Sequence, residues 1–180
     1  MVELVAPRAA ATGLELVLWY GRDAPRRLMG DAGRIRQVVL NLAGNAVKFT
    51  ERGHVLVEAD SVRLADGSAR MRIAVHDTGI GIPPDKLPLL FREFSQLDAS
   101  SARRHEGSGL GLAISKSLIG LMGGSLSVRS QPGEGSVFSV ELPLELDPTA
   151  AGAGDAPGLD GLAVLITGRR DLTRVALAEL

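Results

Sequence analysis

A two-layer α/β (α+β) sandwich, with a mixed, mainly antiparallel sheet under three main helices, is the fold this sequence predicts. Three observations carry it. Runs with a period near two occur in neighbouring pairs, 54–62 with 69–75 and 125–130 with 136–142, each pair joined by a short glycine-containing turn. Between the runs lie stretches with helical spacing, of which 32–49 is the longest. The chain has 180 residues, 45% of them hydrophobic, which suits one core and a fragment of a further domain.

The elements follow in chain order. Residues 2–12 are alanine-rich and read as a short helix stopped by Gly13. Leu14, Leu16 and Leu18 alternate with Glu15, Val17 and Trp19, a strand pattern that makes Trp19 a core or sheet-face residue. The chain turns at 21–25, and Asp31 is placed to cap the next helix. Over 32–49, Ile35, Val38, Val39, Leu42 and Ala46 fall in a stripe about 100° wide, which marks the buried face. Asn41, Asn45 and Lys48 follow i, i+4, i+7 spacing and form one polar edge beside it. Such an edge is ordinarily solvated.

A break at 50–53 precedes the first strand pair, which turns at 65–68. Asp77 then stands where a strand ends and the turn Thr78-Gly79-Ile80-Gly81-Ile82-Pro83 begins. A carboxylate accepts hydrogen bonds only, and two glycines let backbone come close to a flat or charged ligand. A short helix is expected over 85–91. The stretch 94–107 has no sustained periodicity and reads as a lid or a disordered loop. Residues 109–122 read as a helix, with Leu112, Ile114, Leu118, Ile119 and Met122 as core candidates and Gly123-Gly124 as its stop. The hairpin 125–142, turning at 131–135, closes the domain.

Bulk properties exclude several classes. A net charge of −1 gives no general electrostatic case for nucleic acid or an anionic membrane. The absence of cysteine excludes disulfides and thiolate chemistry. The first residues lack a basic, then apolar, leader, and no apolar run approaches the roughly 18 residues of a membrane span. The fragment is therefore expected to be soluble and cytoplasmic without touching a membrane, whatever anchors its parent.

Four segments in fixed order, 31–50, 77–81, 90–98 and 107–111, resemble the Asn, first glycine, Phe and second glycine boxes of the catalytic, ATP-binding domain of histidine kinases. That domain sits within the larger gyrase and histidine-kinase ATPase superfamily. The resemblance covers roughly residues 1–145 and implies a Bergerat-type fold that binds ATP and Mg2+. It implies transfer of the γ-phosphate to a histidine on a separate dimerising helical hairpin, with a response regulator or receiver domain downstream. By the same resemblance Asp77 reads the exocyclic amine of adenine, where guanine presents a carbonyl. Asn45 is the magnesium ligand, with Asn41 one turn earlier near the metal, and Lys48 supplies a point charge for phosphate. Asn41, Asn45 and Lys48 make up the implied catalytic set. Gly79, Gly81 and Ile82 line the nucleotide. Gly107, Ser108, Gly109, Leu110 and Gly111 offer amides at a helix start, and Ser136 reaches the adenine region through water.

Two departures from the pattern stand out. Glu93 replaces the proline of the Phe box. In the second glycine box Glu106 precedes Gly107 and Ser108 replaces threonine; Glu106 is expected to point to solvent. His54, His76 and His105 lack the helical, acid-flanked setting of the family's phosphoacceptor. Residues 146–160 read as a Gly/Pro/Ala linker. Residues 161–180 resemble the first strand and helix of a receiver domain, as in hybrid kinases. Thr167, Gly168, Arg169 and Arg170 stand where an acidic pair belongs, so that receiver is degenerate as well as cut short. Two alternatives remain: an ATP-hydrolysing clamp of the gyrase or mismatch-repair type, and a non-catalytic nucleotide-sensing domain. The clamps carry glutamate where Asn41 stands, as a base for water, and an amide cannot take that proton. Asn45, Lys48 and Asp77 argue against the sensor.

Overall fold

Asp31 starts the central helix: its carboxylate accepts the backbone N–H of Arg34 at 2.9 Å, satisfying one of the unpaired donors of the first turn. The helix runs Ala32–Phe49 and ends where Thr50 turns extended, with the threonine hydroxyl donating to the Ala46 carbonyl at 2.7 Å. The structure, a computed structural model, describes residues 4–21, 24–25, 27–92 and 109–148. Within them the order is α1 (Ala6–Thr12), β1 (Glu15–Tyr20), β2 (Leu28–Met29), α2 (Ala32–Phe49), β3 (His54–Arg63), β4 (Ser68–Asp77), α3 (Gly111–Leu121), β5 (Ser125–Gln131) and β6 (Gly135–Leu146).

The strands form one sheet in which β1, β3, β4 and β6 are successive neighbours, while β5 and β2 both pair with β6. Only β1 and β3 run parallel; every other pair is antiparallel. Register sets Val57 and Ala59 of β3 opposite Val75 and Ile73 of β4, and these opposite Phe138 and Val140 of β6, with Val55 opposite Asp77 on the same face. That face buries Val38, Val39, Leu42 and Ala46 of α2 and Ile119 of α3. The opposite face carries Glu58 and His76, paired Nε2 to Oε2 at 3.0 Å, and a half-buried Trp19 beside Glu58. The expected two-layer mixed sheet under three helices is what the chain forms.

Several details differ from expectation. Helix α1 begins at Ala6, with Pro7 in its first turn, where proline's missing N–H costs nothing. The helix expected over 85–91 is a single 3-10 turn, Leu87–Leu89, because Pro88 has no donor to extend it. Ile114 of α3 is exposed: the buried line of this helix runs through Ser115 and Ile119, one turn apart. Leu112, Leu118 and Met122 pack at the core margin. The two-residue β2 was not expected. The turn at 21–25 falls partly outside the described residues. The lid at 94–107, most of the linker and the receiver-like segment 161–180 fall wholly outside them.

Leu42 is 1% exposed between α2 and the sheet. Leu42→Ala is expected to lower the unfolding free energy by about 2–5 kcal/mol through lost transfer energy and a residual cavity. Urea unfolding followed by circular dichroism measures it.

Candidate nucleotide site

Strand β4 delivers Asp77 to the end of the sheet, where it is paired across to Val55 on one side and Ser136 on the other. Its carboxylate accepts the Gly79 N–H at 2.9 Å, and the backbone N–H and hydroxyl of its cross-strand partner Ser136 favour its charge. Burial raises its pKa above the usual carboxylate value. The bonds from Gly79 and Ser136, and the charge of His76, pull it partly back. Two carboxylate oxygens offer about four acceptor sites. The Gly79 N–H takes one of them, so further donors can be taken.

The turn after Asp77 is gripped on two sides. Ile80 N–H donates to the Phe49 carbonyl at 3.3 Å, Gly133 N–H donates to the Ile80 carbonyl at 2.8 Å, and Ile82 N–H donates to Ser130 Oγ at 2.8 Å. A Cβ on Gly79 would meet the Phe49 carbonyl oxygen, and one on Gly81, whose φ is 67°, would meet the Gln131 carbonyl oxygen. These glycines are thus demanded by backbone contact with α2 and with the β5–β6 turn, whether or not a ligand approaches. Ser130 was missed by sequence reasoning. Its signal lies in register: Ser130 and Ser136 are cross-strand partners at the mouth of the hairpin turn.

The polar edge of α2 runs alongside. Asn41 Nδ2 donates to Ser115 Oγ of α3 at 3.0 Å, and Ser115 is buried. A Cβ on Gly111 would meet the Asn41 carboxamide. The first residue of α3 therefore leaves room for an α2 side chain, a second role that the glycine pattern did not reveal. Asn45 and Lys48 follow along α2, both half-buried. Lys48 Nζ lies 4.9 Å from the centroid of the Phe49 ring. Burial, and after it the positive charge of Arg8, lowers its pKa. From Asn41 to Phe49 is about 12 Å along the axis. One end of the edge touches the start of α3, the other the glycine turn.

Gly109, with φ of 68°, and Leu110 lead into α3. Gly107 and Ser108 lie outside the described residues. Among the described residues no three His, Cys, Asp or Glu side chains cluster as a metal site. The amide oxygens of Asn41 and Asn45 are hard, neutral donors, a fit for Mg2+ taking its other ligands from phosphate and water. No helix among the described residues is long and apolar enough to cross a membrane.

Comparison with known proteins adds the following. The family described as histidine kinase-, DNA gyrase B-, and HSP90-like ATPase matches residues 30–146. The sensory/regulatory protein RpfC of Xanthomonas campestris pv. campestris is 46% identical over 144 residues, 79% of this chain and 20% of that protein. The sensor histidine kinase GacS of Pseudomonas protegens is 43% identical over 176 residues, 97% of this chain and 19% of that protein. The chain thus spans about a fifth of the length of these relatives. Among solved structures, full-length ShkA in complex with AMPPNP has a TM-score of 0.72 at 36% identity, covering 99% of this chain and 35% of that one. The mycobacterial sensor histidine kinase MprB has a TM-score of 0.58 at 28% identity, covering 80% and 91%.

The two glycine contacts separate in a mutational test. Gly81→Ala places a Cβ against backbone at positive φ and is expected to cost about 2 kcal/mol or more. Gly111→Ala meets only the end of a side chain. Asn41 can swing away, losing a hydrogen bond of about 1 kcal/mol against a helix-propensity gain of about 0.5–1 kcal/mol. Its stability should stay within about 1 kcal/mol of wild type while the Asn41 side-chain amide resonances shift. Denaturant melts and amide NMR spectra read the two effects.

Proposed function

The chain belongs to the family of histidine kinase-, DNA gyrase B- and HSP90-like ATPases, and from that premise we propose that it is the catalytic, ATP-binding module of a two-component sensor histidine kinase. In this reading it transfers the γ-phosphate of Mg-ATP to a histidine on a dimerising hairpin outside these residues. A response regulator or receiver domain then takes the phosphoryl group. The observation that carries the proposal is the placement of an acceptor-only carboxylate at one end of the α2 edge and two amides with an ammonium along it.

Asp77 accepts from the adenine amine at an acceptor position that Gly79 leaves open, and a guanine carbonyl at the same place is repelled. Lys48 loses part of its preference for the charged form through burial, and a phosphate beside it restores that preference. Asn45 holds Mg2+ together with the phosphates, and Asn41 supports it from one turn earlier. Mg2+ held there by Asn45, with Asn41 beside it, would neutralise negative charge on the phosphates. The N-terminal amides of α3, preceded by Gly107, Ser108, Gly109 and Leu110, favour the anionic end of the nucleotide. Gly79, Gly81 and Ile82 line the base, and Ser136 supports it beside Asp77.

The kinase reading is preferred to a hydrolytic clamp because the position one turn before Asn45 is an amide, which cannot deprotonate water. An acceptor imidazole is already a nucleophile and needs no such base. His54 and His76 are unsuited to that part: the first opens β3, and the second is paired with Glu58 on the sheet face away from the helices. The module spans 1–145, the linker 146–160, and a degenerate receiver starts at 161–180. The cytoplasm is its proposed compartment.

Three outcomes are expected. Asp77→Asn should lose about tenfold or more in ATP affinity by calorimetry, since an adenine amine left unpaired in the bound state costs about 1–3 kcal/mol. Wild-type affinity in that variant would remove the base-reading role. The raised pKa of Asp77 means the folded state holds its proton more tightly than the unfolded chain. Folding stability should therefore fall as pH rises from the ordinary aspartate value through the raised one. ATP affinity should rise across the same window as the carboxylate ionises; a binding profile flat there would contradict it. Finally, the chain alone should bind Mg-ATP without labelling itself. Adding a cognate dimerising hairpin in trans should yield acid-labile phosphohistidine, and Asn41→Ala should keep binding while losing transfer. Rapid hydrolysis or self-labelling by the chain alone would point to the wrong enzyme class.

A further inference from the structure

We propose that Ser130 is a positioning residue for base recognition, holding both the glycine turn that follows Asp77 and the Ser136 hydroxyl that faces the Asp77 carboxylate. The inference rests on the reading of Asp77 as the adenine acceptor. Ser130 Oγ lies 2.8 Å from the Ile82 nitrogen, 2.8 Å from the Gly135 carbonyl oxygen and 3.0 Å from Ser136 Oγ. A backbone N–H can only donate, so Ser130 accepts from Ile82. Its single proton then goes either to Gly135 or to Ser136. Ser136 has the same kind of choice, between Asp77 and Ser130.

The charge on Asp77 decides. An ionised carboxylate is a stronger acceptor than a hydroxyl, so Ser136 gives its proton to Asp77 and can receive the proton of Ser130. The bonds then run in one direction, from Ile82 N–H through Ser130 and Ser136 to Asp77, each polarising the next. When Asp77 is neutral the order reverses, with Ser136 donating to Ser130 and Ser130 to the Gly135 carbonyl. Ser130 thus acts on Asp77 by two arms. One orients Ser136. The other anchors Ile82, and with it the turn whose Gly79 N–H also donates to Asp77. Gly135 closes the circuit: a Cβ there would meet the Asp77 carbonyl oxygen, so the two strands lie as near as backbone permits.

The test compares Ser130→Ala, Ser136→Ala and the double variant in the full 180-residue chain. ATP and GTP affinities are read by calorimetry, and the Asp77 carboxyl is titrated by carbon NMR. Ser130→Ala should lower ATP affinity about threefold to tenfold, narrow the preference for ATP over GTP and raise the Asp77 titration midpoint. The losses from Ser130→Ala and Ser136→Ala should fall short of adding, because both break one chain. A hairpin anchor with no other role would give additive losses and an unmoved Asp77 titration, and that result overturns the proposal. If Ser130→Ala does not fold, Ser130→Cys keeps the volume with a weak donor and acceptor and is read in the same way. Asp77→Asn run in parallel separates the two readings. Its binding ATP like wild type would overturn the base-reading role itself. Its failing to bind beside a wild-type-like Ser130→Ala overturns this inference alone.

Discussion

No side chain fits where the turn after Asp77 passes between two carbonyl oxygens, those of Phe49 and Gln131. That steric constraint organises the site. It joins the end of α2, the end of β4 and the mouth of the β5–β6 hairpin, three segments far apart in sequence. The hydrogen bonds from Ile80 to Phe49 and from Gly133 to Ile80 hold the contact once the glycines permit it. Sheet order supplies the rest: with β4 between β3 and β6, Asp77 emerges flanked by ordered backbone on both sides. Among the described residues the carboxylate forms no salt bridge, so backbone and its sheet neighbours fix it.

The electrostatics follow from that confinement. Burial works against the charge of both ionisable groups of the site, raising the Asp77 pKa and lowering that of Lys48. Hydrogen bonds partly compensate the aspartate. For the lysine, the charge of Arg8 adds to the effect of burial, and the Phe49 ring lies beside its ammonium. A site of this kind is strained toward neutrality at both ends, and a ligand with an amine at one end and anionic groups at the other relieves both.

Much of this was legible in the sequence where a single periodicity or cap decides the outcome. Helix α2 has the expected bounds because Asp31, the apolar stripe and the break at Thr50 all agree. The hairpins were legible because each pairs two alternating runs across a glycine turn. What escaped depends on tertiary register. Ser115 and Ile114 are neighbours in a helix with little sidedness in its composition, and only contact with Asn41 shows which one is inside. The hairpin legible in the sequence already set Ser130 opposite Ser136, but the Ile82 N–H that Ser130 also holds comes from a distant segment and no local pattern encodes it. The two residues of β2 are too few to carry any period, and Pro88 shortened a helix whose neighbours favoured it. For Gly79, Gly81 and Gly111, the need for clearance against Phe49, Gln131 and Asn41 was visible only in three dimensions.

The short β2 has a mechanical consequence. It pairs Leu28 and Met29 with the last two residues of β6, and just beyond them Arg27 Nε contacts Asp147 Oδ2 at 3.0 Å while Asp147 N–H donates to the Arg27 carbonyl. The chain therefore leaves the domain bolted to the segment that feeds directly into Asp31 and α2. The point where β6 ends is thus tied, through β2 and this ion pair, to the stretch that leads into the foot of the helix bearing Asn41, Asn45 and Lys48.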